Sequence, residues 1–158
     1  MVFDPDIVIS VRDGTDLLLV AETKSGRTSP DALGAAENQL RQYMIAMRCG
    51  LGMLVTPKTL RIFRDSYRGY TPDSIELVGD FPFPAGAQEE GETNQRSGVK
   101  FETLVQRWLE GLRDQSTRKK LASPLREAIE EHIVPVLRVG EIRAAHARRL
   151  ASRASDSG

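Results

Sequence analysis

Two short apolar runs lie near the start of the chain, residues 6–12 (DIVISVR) and 16–22 (DLLLVAE), and Asp13-Gly14 separates them. Runs of this length and β-branched content around an Asp-Gly pair predict a β-hairpin, because glycine accepts the positive φ that a tight turn needs. Leu33, Ala36, Leu40, Tyr43, Met44 and Met47 then recur at helical spacing. A helix is expected there, capped by Ser29 or Asp31, with Pro30 in its first turn and Gly50 and Gly52 ending it. Residues 53–56 and 60–64 read as a second strand pair around Pro57-Lys58-Thr59, and residues 74–78 as a further short strand.

Residues 81–98 are rich in Pro, Gly, Glu and Gln and read as a loop or linker. Beyond it, Phe101, Leu104, Val105, Trp108, Leu109 and Leu112 form the stripe of an amphipathic helix that must be buried somewhere. A second helix is expected to start at Ser123-Pro124 and run through Leu125, Ile129, Ile133 and Val136, with Pro135 kinking or ending it. Arg138 to Arg153 extend it as a basic, alanine-rich helix. The organisation read from this pattern is a core over 1–80, a linker over 81–98 and a helical C-terminal segment over 99–158, without internal repeats.

The length of 158 residues suits one ordinary domain, and 40% hydrophobic with 28% charged residues is globular usage. No apolar run reaches the roughly 18 residues of a spanning helix, and the first ten residues have no basic leader. The single cysteine, Cys49, excludes an internal disulfide or a zinc knuckle and reads as a small core residue. A reducing cytoplasm is the expected location, with no membrane partner. Twenty-two basic residues balance twenty-two acidic ones, so net charge is silent on a polyanionic partner. Its distribution is uneven: residues 69–95 hold six acids and no Lys or Arg, whereas residues 138–158 hold five arginines.

The chemistry-bearing segment is Asp6 to Lys24. A two-residue turn would set Asp6 opposite Ala21 and send Glu22 through the other side of the sheet. A three-residue loop, Asp13-Gly14-Thr15, instead pairs Asp6 with Glu22 and Arg12 with Asp16. This second register gathers Ile7, Ile9, Val11, Leu17, Leu19 and Ala21 on one apolar face. It places Asp6, Ser10, Arg12, Asp16, Glu22 and Lys24 with Val8, Leu18 and Val20 on the other, and it is the register expected. Adjacent carboxylates repel unless a cation lies between them or one takes a proton. Mg²⁺, or Mn²⁺, is the natural cation, held by Asp6 and Glu22 with the Thr23 carbonyl as a further oxygen. A lysine on the same face can orient the attacking water and offset transition-state charge, which together implies phosphodiester hydrolysis.

Asp4-Pro5-Asp6 opening one strand and Glu22-Thr23-Lys24 closing the next resembles the PD-(D/E)xK nuclease superfamily. Gln39 and Tyr43, one helical turn apart, match the QxxxY signature of RecB-type helicase-nucleases and type I restriction motor subunits. The resemblance covers residues 4 to about 64. It implies an α/β, restriction-endonuclease-like mixed sheet flanked by helices. It further implies a Mg²⁺-dependent DNA endonuclease or exonuclease of restriction, defence or repair, with Asp6 and Glu22 as metal ligands, Lys24 as catalytic lysine, and Gln39 and Tyr43 supporting them. Family members carry a helix and a strand before the Asp strand, and here five residues precede Asp6. Either the sequence is shortened, or C-terminal helices or a second subunit replace that layer. The rival expectation is a catalytically inactive nuclease-like module that binds nucleic acid or a protein partner.

Other polar residues read as structural. Glu37 suits the positive end of its helix. His132 and His146 have no second ligand at metal spacing. Trp108 suits core packing or a dimer seam, so that a homodimer through the C-terminal helices is a possible assembly. Arg138, Arg143, Arg148, Arg149 and Arg153 suit a solvated basic terminus or phosphate contacts.

Overall fold

The computed structural model describes residues 4–12, 16–85 and 97–144. They form an α/β fold with one six-stranded mixed sheet in the order β5-β4-β3-β2-β1-β6. The strands are β1 (Ile7–Val11), β2 (Leu17–Thr23), β3 (Leu51–Val55), β4 (Thr59–Asp65), β5 (Ile75–Pro82) and β6 (Gly140–Ala144). The helices are α1 (Pro30–Ala46), α2 (Ser97–Gly111), α3 (Gln115–Lys119), α4 (Ser123–Ala128) and α5 (Val134–Val139). Strands β2 and β3 are parallel, with α1 as their crossover, and all other neighbours are antiparallel. Among the described residues no helix is long and apolar enough to cross a membrane.

The sheet is covered on both faces. Val8, Val20, Leu54 and Phe63 pack with Ala36, Leu40 and Met44 of α1 and with buried Cys49. On the other face, Ile7, Ile9, Leu19, Ala21, Met53, Val55, Leu60 and Ile62 meet the α2 stripe of Phe101, Val105, Leu109 and Leu112, together with Ile129, Ile133 and Leu137. Double burial explains why the β1 and β2 segments read as almost continuous apolar runs. The α2 stripe thus finds its cover within the chain. Phe83 is buried with it, edge-on to Phe101 and Trp108 at centroid distances of 6.0 and 5.2 Å, so Trp108 belongs to this core.

Local signals decide where α1 begins and ends. Of the two expected caps it is Ser29 that acts, its Oγ accepting from Ala32 N–H at 3.1 Å, with Pro30 in the first turn. The helix ends before the glycines, as Arg48 turns left-handed at φ 54°, and Met47 points to solvent rather than joining the apolar face. Gly52 lets α1 lie close on β3: a Cβ there would come 2.6 Å from Met44 Sδ.

Further expectations are corrected. The hairpin register pairs Ile7 with Ala21 and Ile9 with Leu19, but it shifts so that Ser10 faces Leu17 and Val11 N–H reaches Asp16 O at 3.1 Å. The shift replaces the expected Arg12–Asp16 pair and exchanges two neighbours: Leu17 packs on the α1 side and Leu18 on the other. The loop expected from residue 81 begins later, because Phe81 and Pro82 complete β5, while residues 86–96 lie outside the described residues. At residue 123 the capping position is Ala122, which donates no side-chain cap, and Ser123 is already helical. The helical path continues through Pro135 to Val139. A π-helical turn over Ile129–Ile133 precedes Pro135, and this widened turn suits a residue that has no N–H and needs room beside the preceding carbonyls.

The last correction is the largest. The basic helix expected over 138–153 ends at Val139, and Gly140–Ala144 is β6, antiparallel to β1. Gly140, Ile142 and Ala144 are buried and Glu141 and Arg143 exposed, the period-two pattern of a strand. His146, Arg148, Arg149 and Arg153 lie outside the described residues. The C-terminal part of the chain therefore supplies both the strand beside β1 and the helices on one face of the sheet.

Two glycine-to-alanine substitutions are expected to act with opposite sign. At Gly140 a Cβ would collide with Ile9 Cγ2 and lie 3.0 Å from the Val136 carbonyl, so Gly140→Ala should cost about 2 kcal/mol. Gly34 lies inside α1 with nothing within 4 Å of a new Cβ, and Gly34→Ala should gain about 0.5–1 kcal/mol. Urea unfolding midpoints measure both, and a shift of the same sign for the two would contradict the packing described.

Candidate functional site

Strand geometry brings the acidic residues together. One step beyond the Ile7–Ala21 pair, Asp6 stands opposite Glu22, and alternation puts both on the face that carries Val8, Val20 and α1. Asp6 Oδ2 accepts two hydrogen bonds from Thr23, from its N–H at 2.8 Å and its hydroxyl at 2.9 Å. The Asp6 and Glu22 carboxyls are themselves hydrogen bonded. Lys24 follows on the same face as Glu22, half-buried, with its N–H anchored on Val55 O at 2.9 Å.

The buried Glu22 carboxyl is pushed up from 4.5 to about 9. Desolvation is the largest cause, followed by the hydrogen bond to Asp6 and the charge of Asp6. The Lys24 ammonium and the Thr23 N–H pull the other way. In the protein without a bound cation, Glu22 therefore keeps its proton at neutral pH.

Of the residues expected at the site, Asp6, Glu22 and Thr23 touch, and Lys24 acts on Glu22 through space. Gln39 and Tyr43 are on α1, which covers this face: Gln39 is exposed, and Tyr43 is half-buried against the α1-side core. Glu37 does not join the carboxyl pair. It pairs with Arg41 at 3.6 Å and Arg61 at 3.4 Å, and Arg61 also binds Asp80 at 3.2 Å, which ties α1 to β4 and β5. Thr23 has a part that reading it as a carbonyl ligand missed, since its hydroxyl and N–H both fix Asp6. Its place between Glu22 and Lys24, with a hydroxyl on a strand end, was the available signal.

Two carboxyls in contact, one holding a proton that a cation would displace, fit a hard ion that takes oxygen ligands from one or two carboxylates and keeps several waters. Among the described residues there is no cluster of three or more His, Cys, Asp or Glu side chains that could hold a metal. Asp6 and Glu22 are thus the acidic ligands available, and His132 lies elsewhere, 3.7 Å from Glu131. No protein-family model, curated protein or solved structure matches the chain.

The raised Glu22 value has a definite effect on stability. Between 4.5 and about 9 the folded state keeps a proton that the unfolded chain has released. Metal-free stability therefore falls with rising pH across that interval and levels off above it. Glu22→Gln, which cannot ionise, should leave stability nearly unchanged near pH 5 and raise it by about 1–3 kcal/mol near pH 8. Urea unfolding in EDTA at both values checks this, and parallel pH curves for the two proteins would refute the retained proton.

Proposed function

We propose that the chain is a Mg²⁺-dependent nuclease that hydrolyses DNA phosphodiester bonds as an endonuclease or exonuclease in restriction, defence or repair. Its six-stranded sheet is then a restriction-endonuclease-like one. The observation that carries this reading is the contact of the Asp6 and Glu22 carboxyls at one end of β1 and β2, with Lys24 beside them. Sequence order adds support: an Asp strand, an E-x-K strand, and a helix with Gln39 and Tyr43 that crosses to a parallel strand.

In this reading Asp6 and Glu22 hold the cation, and Thr23 keeps Asp6 in place. Bound there, the ion supplies Lewis acidity for attack of water on phosphorus. Lys24 lies where its ammonium can orient that water and offset charge on the phosphate as it builds. Gln39, exposed on α1, is available to DNA, and Tyr43 steadies the helix against the sheet. The small number of acidic ligands favours one second reading, a non-catalytic nuclease-like module that binds nucleic acid or a protein.

Supercoiled plasmid incubated with Mg²⁺ separates the two. Cleavage by the intact protein is expected, with loss in EDTA and a fall of about 100-fold or more in rate for Lys24→Ala. No cleavage by the folded wild-type chain in Mg²⁺ or Mn²⁺ would leave the binding module.

A further inference from the structure

A second group of side chains lies at the other end of the sheet. Strand β4 runs from Thr59, at the carboxyl end, to Asp65, about 20 Å away at roughly 3.3 Å per residue. Beyond Asp65 the chain forms a loop to Ser74 whose tyrosines are conspicuously bare: Tyr67 is 72% and Tyr70 75% exposed. The Arg48 guanidinium, from the end of α1, lies over the Tyr70 ring at 4.1 Å. Arg48 and Tyr67 are also the two non-glycine residues with positive φ among those described, at 54° and 60°. Left-handed backbone costs about a kcal/mol or more outside glycine, and here it is confined to one corner.

The loop is held rather than loose. Buried Asp65 accepts from Tyr67 N–H at 2.8 Å and from the Ser74 hydroxyl at 2.5 Å, and Ser66 donates its N–H and hydroxyl to Ser74 O at 2.9 and 2.7 Å. Two aromatic rings are thereby displayed to solvent on a fixed frame. Around them, Arg64 and Arg68 share half-buried Glu76 at 3.4 and 2.7 Å, and Asp73 is exposed. Arg48 has no carboxylate partner among the described residues.

We infer that the corner of Arg48, Tyr67 and Tyr70 binds single-stranded nucleic acid, with bases stacked on the two rings and a phosphate on Arg48. Aromatic faces beside a guanidinium that has no carboxylate partner among the described residues suit a flexible polyanion with exposed π-faces. A protein-docking centre would be apolar, whereas the rings here stand beside charged Arg48, Arg64, Arg68 and Glu76. The inference shares no residue with the carboxyl pair and does not rest on the nuclease reading.

The test is fluorescence anisotropy of a labelled oligothymidylate of about 15 nucleotides, with the full chain in EDTA, so that cleavage plays no part. The wild type should bind saturably. Tyr70→Ala and Tyr67→Asn, the latter chosen because asparagine tolerates positive φ, should each weaken binding about 5- to 30-fold, while Tyr70→Phe retains it. Arg48→Ala should lower the salt slope of log K by about 0.7. Unchanged thermal unfolding of each variant secures its fold. Absence of saturable binding by the wild type up to about 100 µM protein would overturn the inference, as would equal affinity of folded Tyr70→Ala and wild type, or loss in Tyr70→Phe.

Discussion

Strands β1 and β2 must be covered on both faces, and this requirement organises the chain. Their side chains are apolar in both directions, from Ile7 and Val8 to Leu19, Val20 and Ala21, so a helical layer is needed above and below. Helix α1 supplies one layer as it crosses from β2 to the parallel β3, and α2 with the helices after it supplies the other. Each layer depends on a close approach that a glycine permits, Gly52 under α1 and Gly140 where α5 turns into β6. The charged groups of β1 and β2 consequently lie at the strand ends. The carboxyl pair lies at one end and the tyrosine corner at the other.

The carboxyl end shows how burial and proximity combine. Burial does most to hold the Glu22 carboxyl neutral, and Asp6 beside it adds to that. Thr23 holds Asp6 in place by two hydrogen bonds, and from there the Asp6 carboxyl further disfavours ionisation of Glu22. Lys24, held by its backbone on β3, moderates that effect without removing it.

The elements legible in the sequence were those with strong local signals. Asp13-Gly14 between two β-branched runs, Ser29-Pro30 ahead of a periodic stripe, and the spacing from Phe101 to Leu112 each marked its element, and the Asp6–Glu22 approach followed from side-chain alternation. What escaped was set by tertiary context. Strand β6 is five residues long and follows a helix, so its two-residue period was hidden in an arginine- and alanine-rich stretch whose composition suits a helix. The Leu17–Leu18 exchange depends on one irregular pair in the ladder, and the π turn on how the chain relaxes ahead of Pro135. The corner formed by Arg48 and Tyr70 joins residues far apart in sequence, and no motif foretold it.

The pairing of β6 with β1 has a consequence for biosynthesis. Val11 and Ala144 are 133 positions apart, yet they belong to neighbouring strands. A ribosome adding about 5–20 residues per second leaves the outer edge of β1 without its neighbour for on the order of ten seconds. During that time the nascent hairpin offers open hydrogen-bonding groups and bare isoleucines to other chains. Closure of the sheet is thus a late event, and chaperone protection of the emerging polypeptide matters most before residues 140–144 leave the exit tunnel.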